Sequence, residues 1–192
     1  MRKIMILGAS ALQVPGIIQA KKMGLYVIAV DMNPNAVGFK YADKAVVIST
    51  IDIPKVVEAA KIMKVDGVIT LCTDMPVRTV AAVAEVLGLP AISVDNAYRA
   101  TDKIKMRETL KECGVPIPYF TMAKNENEFI TAVQEVRNLN YKCIVKPADN
   151  SGSHGVVLLD RFDIAYLKDV YSYSRFNSRS GDVIVEEFME GA

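Results

Sequence analysis

Short apolar runs alternate with helical patterns from Met1 to about Asp95, and this alternation limits the possible folds more than any other feature of the chain. Lys3 to Leu7, Leu25 to Val30, Ala45 to Ile48, Gly67 to Leu71 and Ala91 to Val94 are rich in aliphatic residues and lack strict polar alternation. Strands covered on both faces have that texture. Helices are expected between them. Asp52 is placed to cap one whose buried side includes Val56, Val57, Ala60 and Met63. Val77, Val80, Ala81, Ala84 and Leu87 mark another, with Asp74 at its start and Gly88 at its end. Strand and helix in turn imply a parallel sheet with right-handed crossovers, a Rossmann-like α/β domain over residues 1–95.

Sheets of this kind take ligands at the carboxyl ends of their strands. Here those ends are the Gly8-Ala9-Ser10 turn, Asp31 and the Cys72-Thr73-Asp74 segment. A nicotinamide-dinucleotide reading would use Gly8 for the turn and Asp31 for the ribose. Ser10 and Gln13 stand where the second and third glycines of that fingerprint belong, which weakens the reading. Asp31 reads equally as a loop carboxylate of the Asp31–Asn35 turn.

With 192 residues the chain can bury one ordinary core or two small ones. Its 23 basic and 22 acidic residues are interspersed and leave a formal net charge of +1. No broad field attracts nucleic acid or an anionic membrane, so any anion specificity must be local. Cys72, Cys113 and Cys143 stand singly in apolar stretches without metal-ligand spacing. The opening MRKIMILGAS is too brief in its apolar part for a secretory signal and reads as a first buried strand. No window suits a bilayer span, and a reduced cytoplasmic setting is expected.

After Asp95 the texture changes. Thr101 or Asp102 can cap a helix with Met106, Leu110 and Cys113 on its apolar side, and Gly114 ends it. Val115-Pro116-Ile117-Pro118 is an extended connection, because each proline disfavours helix in the residue before it. Residues 96–118 therefore form a helix and connection, and residues 119–192 a second domain. In that domain Asn125 and Glu128 make a capping-box pattern before a helix buried through Phe129, Ala132, Val133 and Val136. Two apolar runs, one ending in Lys146, flank the loop of Ser151, Gly152, Ser153, His154 and Gly155. Small residues let backbone N–H groups approach a phosphate, and a strand-end ammonium neutralises it. Taken alone, the same pattern equally describes an ordinary hairpin with a solvated Lys146. The polar stretch from Tyr171 to Asp182 interrupts the pattern, and Val183 to Met189 resumes as a strand ending in a turn.

In this order, the Thr101-Asp102-Lys103 helix start, the GVPIPYF connection, Lys146-Pro147 with its SGSHG loop, and VEEFMEG resemble the front part of an ATP-grasp ligase. The relatives suggested are the carbamoyl phosphate synthetase large chain, phosphoribosylglycinamide synthetase and biotin carboxylase. The resemblance implies a Rossmann-like pre-ATP-grasp domain followed by an incomplete α+β ATP-grasp domain. It implies that Lys103 and Lys146 meet ATP phosphates under a lid formed by Ser151, Gly152, Ser153 and Gly155. It further implies that Glu186, Glu187, Phe188 and Met189 line the adenine pocket, with an acidic side chain accepting from the exocyclic amine. His154 is expected to be an exposed turn residue. Lys103 sits at a helix N-terminus, where a cation gains nothing from the dipole, and a nearby phosphate would account for it.

The reaction implied is ATP-dependent activation of a carboxylate to an acyl phosphate, which an amine then attacks. Small-molecule carboxylate and amine substrates follow from it, and the oligomeric state stays open, a homodimer included. In the family the magnesium ligands and the arginine that meets the transferring phosphate lie beyond the segment matching VEEFMEG. Metal-binding and catalytic residues are therefore expected downstream of Ala192, and the 192-residue polypeptide by itself is expected to lack ligase turnover. A non-catalytic nucleotide-binding or regulatory module is the alternative, and a dinucleotide-dependent oxidoreductase a weaker one.

Overall fold

The computed structural model describes residues 1–150 and 152–191. These fall into two compact units divided between Thr101 and Asp102.

The first unit is built on four parallel strands, β1 (Lys3–Leu7), β2 (Tyr26–Asp31), β3 (Lys44–Val47) and β4 (Gly67–Thr70), in the order β3-β2-β1-β4. Helices α1 (Val14–Lys22) and α2 (Ile53–Met63), with a 3₁₀ helix at Val37–Tyr41, fill the crossovers, and α3 (Pro76–Leu87) follows β4. Successive side chains of β1 go to opposite cores. Met5 and Leu7 pack with Val56, Ala60, Val83 and Ala84, whereas Ile6 packs with Ile17, Ala20 and Ala36. Both faces are therefore covered, which is why the strands read as unbroken apolar runs. Asp52 caps α2 by accepting from the Lys55 amide, and Gly88 closes α3 in the left-handed conformation, as the sequence implies.

Two expected elements of this unit differ. Asp74 does not cap α3: the N-cap is Met75, Pro76 takes the first turn, and Asp74 contributes its carbonyl to Val77. Ala91 to Val94 is not a strand. Ser93 accepts from the Asn96 amide and starts helix α4 (Val94–Thr101), leaving Ile92 48% exposed. The run is too short to outcompete a good cap. Arg78 lies over the Tyr98 ring and donates to the Thr101 hydroxyl at 2.6 Å, tying α3 to α4.

The second unit opens with α5 (Lys103–Glu112), capped by Asp102, whose carboxylate accepts from the Ile104 and Lys105 amides. Its buried residue is Ile104, and Cys113, expected on the apolar side, is exposed. Cys72 is exposed as well, so of the three cysteines only Cys143 has an apolar setting, and burial raises its thiol pKa. Strands β5 (Phe120–Ala123), β6 (Cys143–Pro147), β7 (Val157–Leu158) and β8 (Val183–Glu187) form an antiparallel sheet in the order β5-β8-β6-β7. Helix α6 (Glu126–Asn138) has the expected cap and buries Phe129, Ala132, Val133 and Val136.

The polar stretch after Tyr171 is not an interruption. Its first half, through Phe176, belongs to helix α7 (Ile164–Phe176), capped by Asp163 and buried through Leu167, Val170, Tyr171 and Ser174. Those positions follow helical spacing, but Tyr and Ser disguised the stripe as surface. One face of this sheet carries Cys143, Val145, Val183 and Val185 into a core with α6 and α7. The opposite face carries Ala148 and Ile184 against Ile104 and Phe120, and it also bears charge. Among the described residues no helix is long and apolar enough to cross a membrane.

Candidate functional site

The strand-end turn of the first unit is occupied by its own side chains. Gln13 is 4% exposed and donates through Nε2 to the Leu71 carbonyl at 2.6 Å. Its Oε1 accepts from the Ser10 amide and hydroxyl. Gly8 has φ +107°, and a Cβ there would meet the Gln13 side chain at 3.1 Å. The space a third glycine would leave open beside the turn is thus taken by an amide. Asp31 serves the local loop, accepting from the amides of Ala9 and Asn33. An open cavity of ≈ 320 Å³ remains, lined by Ser10, Asp31, Thr50, Cys72 and Thr73 among others.

In the second unit a row of charge runs across the sheet face opposite α6 and α7. Lys146 and Glu186 project from neighbouring strands on that face, two residues apart in register, since Ile144 pairs with Glu186 and Lys146 with Ile184. Glu186 is 1% exposed, and Lys146 Nζ lies 2.5 Å from its Oε2. From α5, Arg107 donates through Nε to Oε1 at 2.8 Å and through Nη2 to Oε2 at 3.4 Å. Burial pushes the Glu186 carboxyl up, but the hydrogen bonds and charges of Arg107 and Lys146 outweigh it and hold the group below the ordinary glutamate value. A buried carboxylate is tolerable here because it is doubly paired.

Lys103 opens α5 one turn before Arg107 and approaches the same segment from its other end. Its amide donates to the Ala148 carbonyl at 2.9 Å, and its Nζ donates to the Asn150 carbonyl. Lys103 is therefore tied to the stretch 146–150, and Lys146 begins that stretch with its own ammonium on Glu186. The glycine loop leaves from there. Ser151 lies outside the described residues. Gly152, Ser153 and Gly155 all have positive φ, and His154 is exposed, as expected.

The base of the loop is clamped by residues the sequence did not single out. Asn150 donates to the Asn177 carbonyl at 2.7 Å, and Ser174 donates to the Gly155 carbonyl. A Cβ on Gly155 would come within 2.6 Å of both Pro147 Cγ and Asn177 Cβ. Asp149, 5% exposed, accepts from the Ser178 hydroxyl and from the Arg179 and Ser180 amides. The 178–180 turn thus hangs on one carboxylate. The helical spacing of Leu167, Val170, Tyr171 and Ser174 was the available signal for the clamp. Nothing in the sequence pattern marked Arg107.

The segment after β8 is partly engaged in the sheet. The Glu187 amide donates to the Tyr119 carbonyl at 2.8 Å, and the Phe188 amide to that of Lys142 at 2.7 Å. Phe188 is half-buried and Met189 is 64% exposed. A cavity of ≈ 330 Å³ beside Glu187 is lined by Lys111, Pro118, Tyr119 and Phe120. Among the described residues no group of three His, Cys, Asp or Glu side chains could hold a metal ion. The buried carboxylates Asp149 and Glu186 are engaged by hydrogen-bond donors instead.

Residues 100–192 match the family model described as an ATP-grasp domain. Among curated proteins, the chain is similar to the formate-dependent phosphoribosylglycinamide formyltransferase of Dechloromonas aromatica, at 33% identity over 98% of this chain and 47% of that one. The enzyme of the same name from Solidesulfovibrio magneticus is 28% identical, again over 98% and 47%. A solved phosphoribosylglycinamide synthetase from Anaerococcus prevotii superposes with a TM-score of 0.67 at 26% identity, over 99% of this chain and 46% of that one. The ADP complex of N5-carboxyaminoimidazole synthetase from Staphylococcus aureus shares the fold with a TM-score of 0.76 at 19% identity, over 98% and 48%. The chain spans about half the length of the curated relatives it matches.

Proposed function

We propose, from the match of residues 100–192 to the ATP-grasp domain model, that this chain supplies the nucleotide-holding part of an ATP-dependent carboxylate-amine ligase acting through an acyl phosphate. The observation that carries the reading is the placing of two lysines at the 146–150 segment, from which the glycine loop leaves: Lys103 donates to the Asn150 carbonyl at its end, and Lys146 begins it with its ammonium held by Glu186. One lysine bonded to the root of a loop built for positive φ, and another on the strand that leads into it, suit a polyphosphate. Gly152, Ser153 and Gly155, with Ser151, would close over it. The Glu186 to Met189 stretch would receive the purine through Glu187, Phe188 and Met189, since the Glu186 carboxylate is buried and held by Arg107 and Lys146. The amides of Glu187 and Phe188 are engaged in the sheet, so we assign the Met189 backbone to the ring edge.

Bound ATP would supply the phosphoryl group, and the residues described here would orient it and neutralise its charge. Their buried carboxylates, Glu186 and Asp149, already serve arginine, lysine and loop amides. We assign the magnesium ligands and the catalytic groups to the part of the relatives that these residues do not span. The 192-residue polypeptide by itself is then a binder without ligase turnover. Small carboxylate and amine substrates in the cytoplasm complete the reading, and a homodimer is compatible with it.

Calorimetric titration with ATP, with and without magnesium, tests it. Binding should be detectable, and Lys146→Met should weaken it about 100-fold, the size expected from losing a charge-assisted phosphate contact of about 2.7 kcal/mol. Unchanged affinity in that variant would refute the assignment. A non-catalytic nucleotide-binding module would bind ATP and remain inactive even within a polypeptide as long as the relatives.

A further inference from the structure

We infer that Arg107 is a positioning residue whose pairing with Glu186 frees Lys146 to leave that carboxylate for a bound phosphate. The inference rests on the nucleotide reading above and concerns a residue that reading does not use.

In the structure Glu186 is shared. Lys146 holds Oε2, while Arg107 holds Oε1 at 2.8 Å and reaches Oε2 at 3.4 Å. At 1% exposure the carboxylate cannot turn to water if a partner leaves. A buried anion stripped of its countercharge is strongly destabilising, so with Lys146 as sole partner the ion pair would resist any phosphate. Arg107 removes that obstacle. Its planar fork spans both oxygens, and Glu186 stays charged and paired after Lys146 has gone.

The division of labour suits the two side chains. Lysine is a point charge on a flexible stem and can swing between two anions, whereas the arginine fork is geometrically matched to one carboxylate. Position on α5 fits as well. Lys103 and Arg107 are four residues apart on one helix face, so a single rigid helix sends one cation to the loop root at Asn150 and the other to β8. The charged groups facing Glu186 are Arg107 from α5 and Lys146 from β6; β5 opposes it with Phe120.

The test is proton linkage. Without Arg107, Lys146 can leave only if Glu186 takes up a proton. In Arg107→Met, ATP affinity should fall at least tenfold near pH 8, and each ATP bound should draw in close to one proton more than in the wild-type protein. Calorimetry in buffers of differing ionisation enthalpy reads this directly, and affinity should weaken toward tenfold per pH unit as pH rises. Arg107→Lys restores a cation and should remove most of the extra uptake. Glu186→Gln combined with Arg107→Met should abolish it, since no carboxylate remains to protonate.

A structural role alone would lower affinity or melting temperature without changing the proton count. That result in folded Arg107→Met, or wild-type affinity in it, overturns the inference. If Arg107→Met does not fold, the wild-type protein decides by nuclear magnetic resonance. The Arg107 Nε–H signal should persist on ATP addition while the Lys146 Nζ resonance shifts, and disappearance of the arginine signal is the contrary result. Absence of ATP binding by the wild-type protein, or indifference to Lys146→Met, would instead defeat the nucleotide reading beneath it.

Discussion

Two strand-end turns of this molecule carry glycine at positive φ, and they end up with opposite characters. At Gly8 the adjoining space is filled by Gln13, which satisfies Ser10 and the Leu71 carbonyl, while Asp31 satisfies Ala9. At Gly152 to Gly155 the clamp from Asn150 and Ser174 holds the base of the loop, Lys103 is tied to the segment it leaves from, and Lys146 begins that segment. Glycine therefore marks where backbone can turn sharply, and it does not by itself mark a phosphate site. What separates the two is the charge placed around the turn and whether a neighbouring side chain occupies the space.

The contrast is most easily broken at Gly155. Gly155→Ala adds a Cβ within 2.6 Å of Pro147 and Asn177 at a φ of +78°. A stability loss of roughly 3 kcal/mol is expected from strain plus overpacking, read by denaturant titration of the second unit. A loss under about 1 kcal/mol would mean that the clamp yields.

Acid sharpens the contrast between the sheets. The Glu186 carboxyl is held below its ordinary value, so its contribution to stability is complete above the unfolded-state glutamate pKa of about 4.3. That contribution is lost as pH falls through the lower folded-state value. Hydrogen exchange at β8 should therefore accelerate below about pH 4 before exchange at β1, whose core has no buried ion pair of this kind. Each kcal/mol lost corresponds to about 4–8 °C in melting temperature for a unit this size. Equal acceleration in both strands would contradict the pairing seen.

The smallest effect belongs to the filled turn. Gln13→Ala should cost about 1 kcal/mol, the net worth of its hydrogen bonds, and leave ATP affinity within about twofold. A marked loss of affinity would move the nucleotide toward the first sheet.

Much of the fold is legible in local pattern because local physics decides it. The strands Lys3–Leu7 and Val183–Glu187, the Asp52 and Asn125 caps and the Gly88 stop each depend on a few neighbouring residues. The readings that failed are those where local signals compete. Ala91 to Val94 has strand composition, but Ser93 caps a helix there; Asp74 looks like a cap, but Pro76 shifts the start of α3. Helix α7 escaped notice because a stripe containing Tyr171 and Ser174 is apolar only when the Phe129 ring and the Gly155 carbonyl are there to receive it.

The sequence alone determined the alternation that makes a parallel sheet, the presence of Lys103, Lys146 and a small-residue loop, and their order along the chain. Tertiary structure decided what those charges face. Arg107 lies 79 residues from Glu186, and Lys146 lies 40 from it. No periodicity encodes such a meeting, because it arises only when β6 pairs with β8 and α5 settles on the sheet face that α6 and α7 leave uncovered. Burial then turns three ordinary surface-type residues into one coupled group, since a carboxylate removed from water must keep its partners.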